Sequence, residues 1–368
     1  MKNINLGDLN ESFFFQPYMT KYRELFFEDL HKKIVNHGGE FEVICGPTPK
    51  DFDNSSAYDF KCLTLKTSTE LKFIRFQQLS ENISVTKDSI VIHFADFKYL
   101  SLYYALMKKL LNRTPLFLHG QGGYKKNSIA SKIIYNCAVA LTSGYICYNK
   151  FCEIELKKKL LPYLHKKVKS IDNTLYIESV DSVPYPDNDD HKIAFIGRIR
   201  PRSGLEELLK ASMIAKSKFP DLTVEIIGSG DTSYIRTLQE EYPFANFIGS
   251  LYNQEDIISA TKNCSIGAYG GDAGLSTVHY MSLGLAVIVH NDLLNHMGPE
   301  PSYVKDHYNG LLFERNNIND MADKICLLFS NKELTYKLRK NALKTFHELS
   351  SPSMAEKLLD IILDKEIK

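Results

Sequence analysis

Residues 266–313 read IGAYGGDAGLSTVHYMSLGLAVIVHNDLLNHMGPEPSYVKDHYNGLLF. A short apolar run ends in the turn Gly270-Gly271-Asp272-Ala273-Gly274. An amphipathic helix follows, then a second apolar strand, then a polar loop holding His290, Asn291, Asp292 and Glu300. Strand, glycine-rich turn and helix in that order set a helix N-terminus at the carboxyl end of a strand. This is how α/β domains build anion pockets from backbone N–H groups.

The pattern repeats outward from this stretch. Apolar runs at 193–196, 222–227, 246–248, 264–268 and 286–290 predict strands, with helices between them, the first over 204–216. Strands separated by helices of ten or so residues make βαβ units on a parallel sheet. The first half alternates in the same way. Strands are expected at 41–45, 89–93, 115–119 and 145–148, and helices over 100–111, 126–140 and 152–164. Residues 180–190 (VDSVPYPDNDD) are polar and turn-rich, which marks a domain boundary. The fold class is therefore α/β, with a first domain over 1–185 and a second over 186–345. The closing segment 346–368 carries an apolar helical face (Met354, Leu358, Leu359, Ile361, Ile362) that needs a surface and is expected to pack back on the first domain.

Composition narrows the function. A chain of 368 residues is too long for one ordinary core. A formal net charge of +1 gives no field that would gather nucleic acid, so no nucleic-acid partner is expected. The seven cysteines are scattered and form no CxxC pair, which suits buried free thiols in a reducing compartment. The first residues lack a long apolar core of the signal-peptide kind, and no apolar run approaches the ~20 residues that span a bilayer. A cytoplasmic location is expected.

Three blocks of the second half, in order, resemble the retaining glycosyltransferases of the glycogen-synthase-like group, often called family 4. They are Phe195-Ile196-Gly197-Arg198 with Gly204 and a helix, the strand closed by Gly228-Ser229-Gly230, and the region from Gly274 to Phe313. The resemblance implies the GT-B fold, two Rossmann-like domains facing across a cleft. It also implies a nucleotide-sugar donor (UDP-, GDP- or dTDP-linked) held by the second domain. Within it, GDAGLSTVHYMSLG is similar to a branch acting in surface-polysaccharide, O-antigen or lipopolysaccharide assembly.

By this resemblance Arg198 matches the family's phosphate-binding arginine, since a guanidinium offers a fork of donors to diphosphate oxygens. The family's lysine before Gly204 is replaced by Ser203, leaving Arg202 or Arg200 to supply the charge. Gly270, Gly271 and Gly274 would let backbone approach a phosphate, and the N–H groups of Leu275 and Ser276 would hold it. Gly197, Gly228 and Gly230 would border the nucleotide, and Glu300 would lie near the sugar or ribose. Two glutamates eight positions apart are usual in the family; Gly271 and His279 stand in their places. Asp272, one residue displaced, is the candidate for the first. His279 is either a ribose contact or a packed helix histidine.

The first domain is expected to hold the acceptor, a glycan or a lipid-diphosphate-linked glycan. His119 ends a strand before Gly120 and resembles the family's active-site histidine; His93 shares its strand-end address. Lys21, Arg23 and Lys125 are the candidate cations for an acceptor phosphate, or else part of solvated faces. Residues 150–169 carry seven lysines against two glutamates, a basic helical face suited to an anionic membrane surface or simply to water.

In the reaction that the resemblance implies, the nucleotide leaves and the acceptor attacks on one face of the sugar. Arg198, Arg202 and the Leu275 backbone would stabilise the leaving diphosphate. Asp51, Asp53, Asp189 and Asp190 fall in expected loops, so no obligatory metal is expected. The departures at Gly271 and His279 keep a second class open: a catalytically inactive subunit that binds a nucleotide sugar or glycan.

Overall fold

The run Phe13-Phe14-Phe15 shows no period-two alternation because its strand is buried on both faces. That strand, β1 (Glu11–Tyr18), lies in the middle of a sheet and was not anticipated from the sequence. The computed structural model describes residues 10–49, 57–71, 74–77, 85–185 and 191–364. Asp51, Asp53, Asp189 and Asp190 lie outside them. The chain divides into two compact units, residues 1–176 with 352–368, and residues 177–351.

The first unit runs β1, α1 (Lys21–Asn36), β2 (Glu40–Gly46) and β3 (Lys61–Thr64), then an antiparallel pair, β4 (Thr67–Leu71) and β5 (Ile74–Gln77). It continues β6 (Ser89–Phe94), α2 (Leu100–Asn112), β7 (Leu116–Gly120), α3 (Ile129–Leu141), β8 (Gly144–Cys147), α4 (Lys150–Lys157) and β9 (Val168–Ser170). Seven strands form one parallel sheet in the order β3-β2-β1-β6-β7-β8-β9. The order reverses direction between β1 and β6.

The second unit runs β10 (Lys192–Ile196), α5 (Leu205–Lys216), β11 (Thr223–Ile227), α6 (Thr232–Glu241), β12 (Ala245–Gly249), α7 (Gln254–Thr261) and β13 (Ile266–Ala268). It ends α8 (Ser276–Ser282), β14 (Ala286–His290), β15 (Gly310–Phe313), α9 (Ile318–Ser330) and α10 (Lys332–Ser350). Its six parallel strands lie in the order β12-β11-β10-β13-β14-β15, with the reversal between β10 and β13. Residues 180–185 of the expected boundary segment belong to this unit, which begins at Ile177. The Val180 N–H donates to the Ser282 carbonyl at 3.0 Å, and Val183 packs over Gly284.

The last helix, α11 (Met354–Leu363), belongs to the first unit. Met354, Leu358, Leu359 and Ile362 share a core with Phe26, Phe27, Leu30 and Ile34 of α1. Its start is fixed by a capping box in which Ser353 and Glu356 satisfy each other's backbone N–H groups. Lys33 of α1 reaches Glu356 at 2.9 Å.

The lysine-rich stretch differs from the expected single helix. Pro162 cannot extend a helix and opens a 3₁₀ turn over Pro162–Lys167, so α4 ends at Lys157. Five of the seven lysines have protein partners. Lys150 and Lys157 both bond Glu153, Lys158 bonds Glu155, Lys159 bonds the Gly123 carbonyl, and Lys167 caps carbonyls at the end of α3. All seven cysteines are free thiols, and Cys137 is exposed rather than buried.

Candidate functional site

The sheet reversal in the second unit leaves the chain turning away in opposite directions after β10 and β13. In open α/β sheets ligands bind at such a point, beyond the carboxyl ends of the strands. Every candidate donor residue except His279 and Glu300 lies in a loop leaving a strand end or at the start of the next helix.

Backbone zips these loops together. Gly271 and Asp272 donate their N–H groups to the Ser203 and Arg202 carbonyls, each at 3.1 Å. Ile199 N–H donates to the Ser229 carbonyl at 2.8 Å. The glycines permit this approach. A Cβ on Gly228 or Gly230 would lie 1.9 Å from the carbonyl oxygen of Gly197 or Ile199. Gly270 and Gly271 are likewise filled by the 202–204 turn, so they serve loop packing and present no open cradle. Gly274 has ordinary clearance, with Glu300 Oε2 3.7 Å from its Cβ position. The buried Glu300 carboxylate folds back over Gly298, whose loop is held by the Met297 N–H bond to the Ala273 carbonyl at 2.9 Å. Gly197 lies beside the Ser276 hydroxyl.

Asp272 is the hub. It is buried, yet Arg202 Nε donates to its Oδ2 at 2.7 Å and Arg315 Nη2 to its Oδ1 at 3.3 Å. Burial alone would raise the Asp272 carboxyl; the hydrogen bonds from Arg202 and Arg315 outweigh it and hold the group below the usual carboxylate range. Among the described residues Arg202 bonds through Nε, and its side chain is 62% exposed. Two cations against one anion leave the cluster at a net +1. Arg198 is half-buried in the same loop, and Arg200 donates to Met297 Sδ.

Two histidines back Asp272. His290 and His296 are fully buried and stacked, with centroids 3.6 Å apart. The Ala273 N–H donates to His296 Nδ1 at 3.1 Å, so the proton sits on Nε2, which donates to the His290 carbonyl at 2.9 Å. The Asp292 N–H donates to His290 Nδ1 at 3.2 Å. His290 Nε2 therefore carries its proton toward Asp272 Oδ1, 3.4 Å away and short of a well-formed bond. Arg315 and His296 were not singled out from the sequence. Arg315 follows the end of β15, a strand the sequence reading also missed. His279 is engaged elsewhere: its Nε2 donates to Gln254 Oε1 at 2.9 Å, while Gln254 Nε2 donates to the Glu178 carbonyl. That bond ties His279 Nε2 into the packing of α8.

In the first unit His119 of β7, one strand away from the reversal, and Arg23 of α1 both lie against Tyr148. His119, buried at the end of β7, donates from Nδ1 to the Ile146 carbonyl at 3.0 Å, and its ring lies 4.9 Å from that of Tyr148. Arg23 lies over the other partner of this contact, 5.7 Å from the Tyr148 centroid. His93 does not join them. It is fully buried, with Nδ1 bonded to the Phe94 carbonyl at 2.7 Å and Nε2 to Ser101 Oγ at 3.0 Å, so neither nitrogen can meet an acceptor. Lys21 is exposed, and Lys125 lies over the Tyr124 ring. Among the described residues no cluster of histidine, cysteine or carboxylate could hold a metal, and no helix is long and apolar enough to cross a membrane.

The buried imidazoles make stability pH-dependent. Burial pushes His93 and His279 down to about 4, and His119 and His296 to about 3, with Arg23 adding to the effect at His119 and His290 at His296. An unfolded histidine titrates near 6.5. Below that pH the unfolded chain binds more protons than the folded one. The stabilisation is complete above about 6.5 and is lost as pH falls toward 4, with a slope of up to ~1.4 kcal/mol per pH unit for each imidazole that stays neutral. Thermal midpoints measured from pH 7.5 to 4.5 are expected to fall, and to fall less steeply in His93→Gln.

Comparison with known proteins adds to this geometry. Residues 180–345 match the family described as glycosyl transferases group 1. An uncharacterised glycosyltransferase of Methanocaldococcus jannaschii is 25% identical over 335 residues, 86% of this chain and 87% of that one. HepE of Anabaena, solved in complex with UDP and glucose, is 14% identical and superimposes with a TM-score of 0.65 over 95% of this chain and 98% of that one. A glycosyltransferase from Rickettsia africae is 14% identical, with a TM-score of 0.67 over 97% and 98%. Two parallel sheets flanked by helices, shared along almost the whole length of these structures, give the chain the two Rossmann-like domains of the GT-B fold.

Proposed function

We propose that this protein transfers a glycosyl unit from a nucleotide sugar to a hydroxyl of a glycan acceptor, with retention of anomeric configuration. The observation that carries the proposal is the Arg202–Asp272–Arg315 cluster at the β10/β13 reversal, inside the region similar to glycosyl transferases group 1. The bond from the anomeric carbon to the diphosphate breaks, and charge grows on the departing phosphate oxygen. Arg198 and the terminal nitrogens of Arg202 stabilise that charge, with the Leu275 and Ser276 N–H groups beside Gly274. The acceptor oxygen bonds to the anomeric carbon, and its proton passes to the leaving diphosphate. Glu300, beside Gly274, orients the donor sugar or ribose. Asp272 acts through the arginines it fixes rather than on the sugar. His119 and Arg23 form the acceptor-side pair, and the acceptor is a glycan carried on a lipid diphosphate in surface-polysaccharide assembly, at the inner face of the cytoplasmic membrane.

Thermal unfolding with UDP, GDP and dTDP, each with and without a divalent metal, tests the donor site. One nucleotide is expected to raise the midpoint, since ligand at a hundred times its Kd stabilises by ~2.7 kcal/mol. No shift with any of them sinks the proposal. Stabilisation without transfer or donor hydrolysis would favour the inactive binding subunit, the reading that glycine and histidine at positions 271 and 279 keep open.

A further inference from the structure

Between Asp96 and Glu153 the chain contains no aspartate or glutamate, while eight lysines and arginines fall in that span, among them Lys108, Lys109, Arg113 and Lys132. Two helices of the span cover one core. Leu102 and Leu106 of α2 pack in one core with Tyr135 and Val139 of α3, and Lys109 Nζ donates to Ser143 Oγ just beyond α3 at 2.9 Å.

Their outer faces are apolar. α2 exposes Met107, Leu110 and Leu111; α3 exposes Ile129, Ile133 and Ile134. Leu111 is 72% exposed and Ile129 78%. Lys132 is the one charged residue of α3. A helix at a water-facing surface turns its polar residues outward. Here the outward stripe is the greasy one, and single exposed apolar residues do not account for two helices over one core.

We infer that the α2–α3 face docks on an anionic lipid surface. The apolar side chains enter the boundary between headgroups and acyl chains, and the lysines and arginine meet lipid phosphates. The charge pattern selects this occupant over a second copy of the chain. A twofold pairing would set Lys108 and Lys132 against like charges, with no carboxylate from this span to answer them. The basic surface expected at residues 150–169 is thereby placed on the preceding helices, since most of the lysines in that stretch are bonded within the protein. The inference does not depend on the donor-site proposal.

Co-sedimentation of the full-length chain with vesicles tests it. Vesicles of phosphatidylcholine and phosphatidylglycerol in equal parts are expected to carry the protein down, less so as salt rises, while phosphatidylcholine alone does not. The triple variant L111S/I129S/I133S and the double variant K108E/K132E are each expected to bind at least ~10-fold more weakly. The substituted side chains are at the surface, and unchanged thermal midpoints confirm folded variants. Wild-type protein that ignores anionic vesicles overturns the inference, as do variants that bind like wild type. A dimer in sedimentation equilibrium that L111S/I129S/I133S dissolves would assign the face to a second copy instead. A polynucleotide that competes with the vesicles only through the lysines, leaving the apolar variant unaffected, would overturn it as well.

Discussion

Arg202→Met is expected to lower kcat by ~100-fold or more with the cognate nucleotide sugar, the size of loss seen when a preorganised donor to a developing anion is removed. Its geometry explains the size. Nε is tied to Asp272 Oδ2, which fixes the guanidinium plane, and the proposed reaction puts the donor phosphate at the other two nitrogens. Asp272→Asn is expected to cost less, about 10-fold. The amide can still accept one hydrogen bond but no longer balances Arg202 and Arg315. The double variant separates two roles for Asp272. If it works only by holding Arg202, then R202M/D272N turns over no more slowly than R202M. If the carboxylate touched the donor sugar itself, the two losses would multiply. Single-turnover rates with saturating donor, and the thermal shift of each variant with whichever nucleotide stabilises the wild type, decide between these outcomes.

Much of this site was legible in the sequence because its elements are local. Strand, glycine turn and helix occur within about twenty residues of each other at 266–290, and such spacing survives without knowledge of tertiary contacts. What escaped was non-local. Arg315 reaches Asp272 across 43 positions, and nothing beside Arg315 in the chain announces the carboxylate it meets. β1 escaped for a different reason. A strand buried on both faces has no alternation to read, and ESFFFQPY could equally be part of a buried helix. Its loss is large in topological terms, since β1 lies beside the reversal point and leads into Arg23. The 152–164 helix was over-extended because its lysines mimic a solvated face, while Pro162 and the lysine bonds to carbonyls break it. His93 and His119 show the limit of position as evidence. Both occupy strands near their carboxyl ends, and only the bonding of both nitrogens separates the core histidine from the candidate.

The glycines of the site are expected to fail for packing reasons before any catalytic one. Gly204 has φ +67°, a left-handed conformation that costs an L-residue about 1–2 kcal/mol. A Cβ there would also lie 1.9 Å from the Gly271 nitrogen and 2.3 Å from the Gly270 carbonyl carbon. Both are backbone atoms of the facing loop and cannot swing aside as a side chain would. Alanine must therefore part the two loops, breaking the Gly271 and Asp272 N–H bonds to the 202–203 carbonyls. Gly204→Ala is expected to cost about 3–5 kcal/mol. Gly38 is the internal control. It has φ +82°, yet nothing lies within 4 Å of its Cβ position, so Gly38→Ala should show the conformational strain alone. Denaturant unfolding of the two variants, followed by a probe in each unit, should show G204A several kcal/mol less stable in the second unit and G38A about 1–2 kcal/mol less stable in the first. Equal losses would mean that the loops give way easily and that the contact between Gly204 and Gly270-Gly271 does not hold the arginine turn. A G204A protein that stays folded but no longer responds to nucleotide would show the turn displaced while the sheet survives, which links the packing of these glycines to the placement of Arg202.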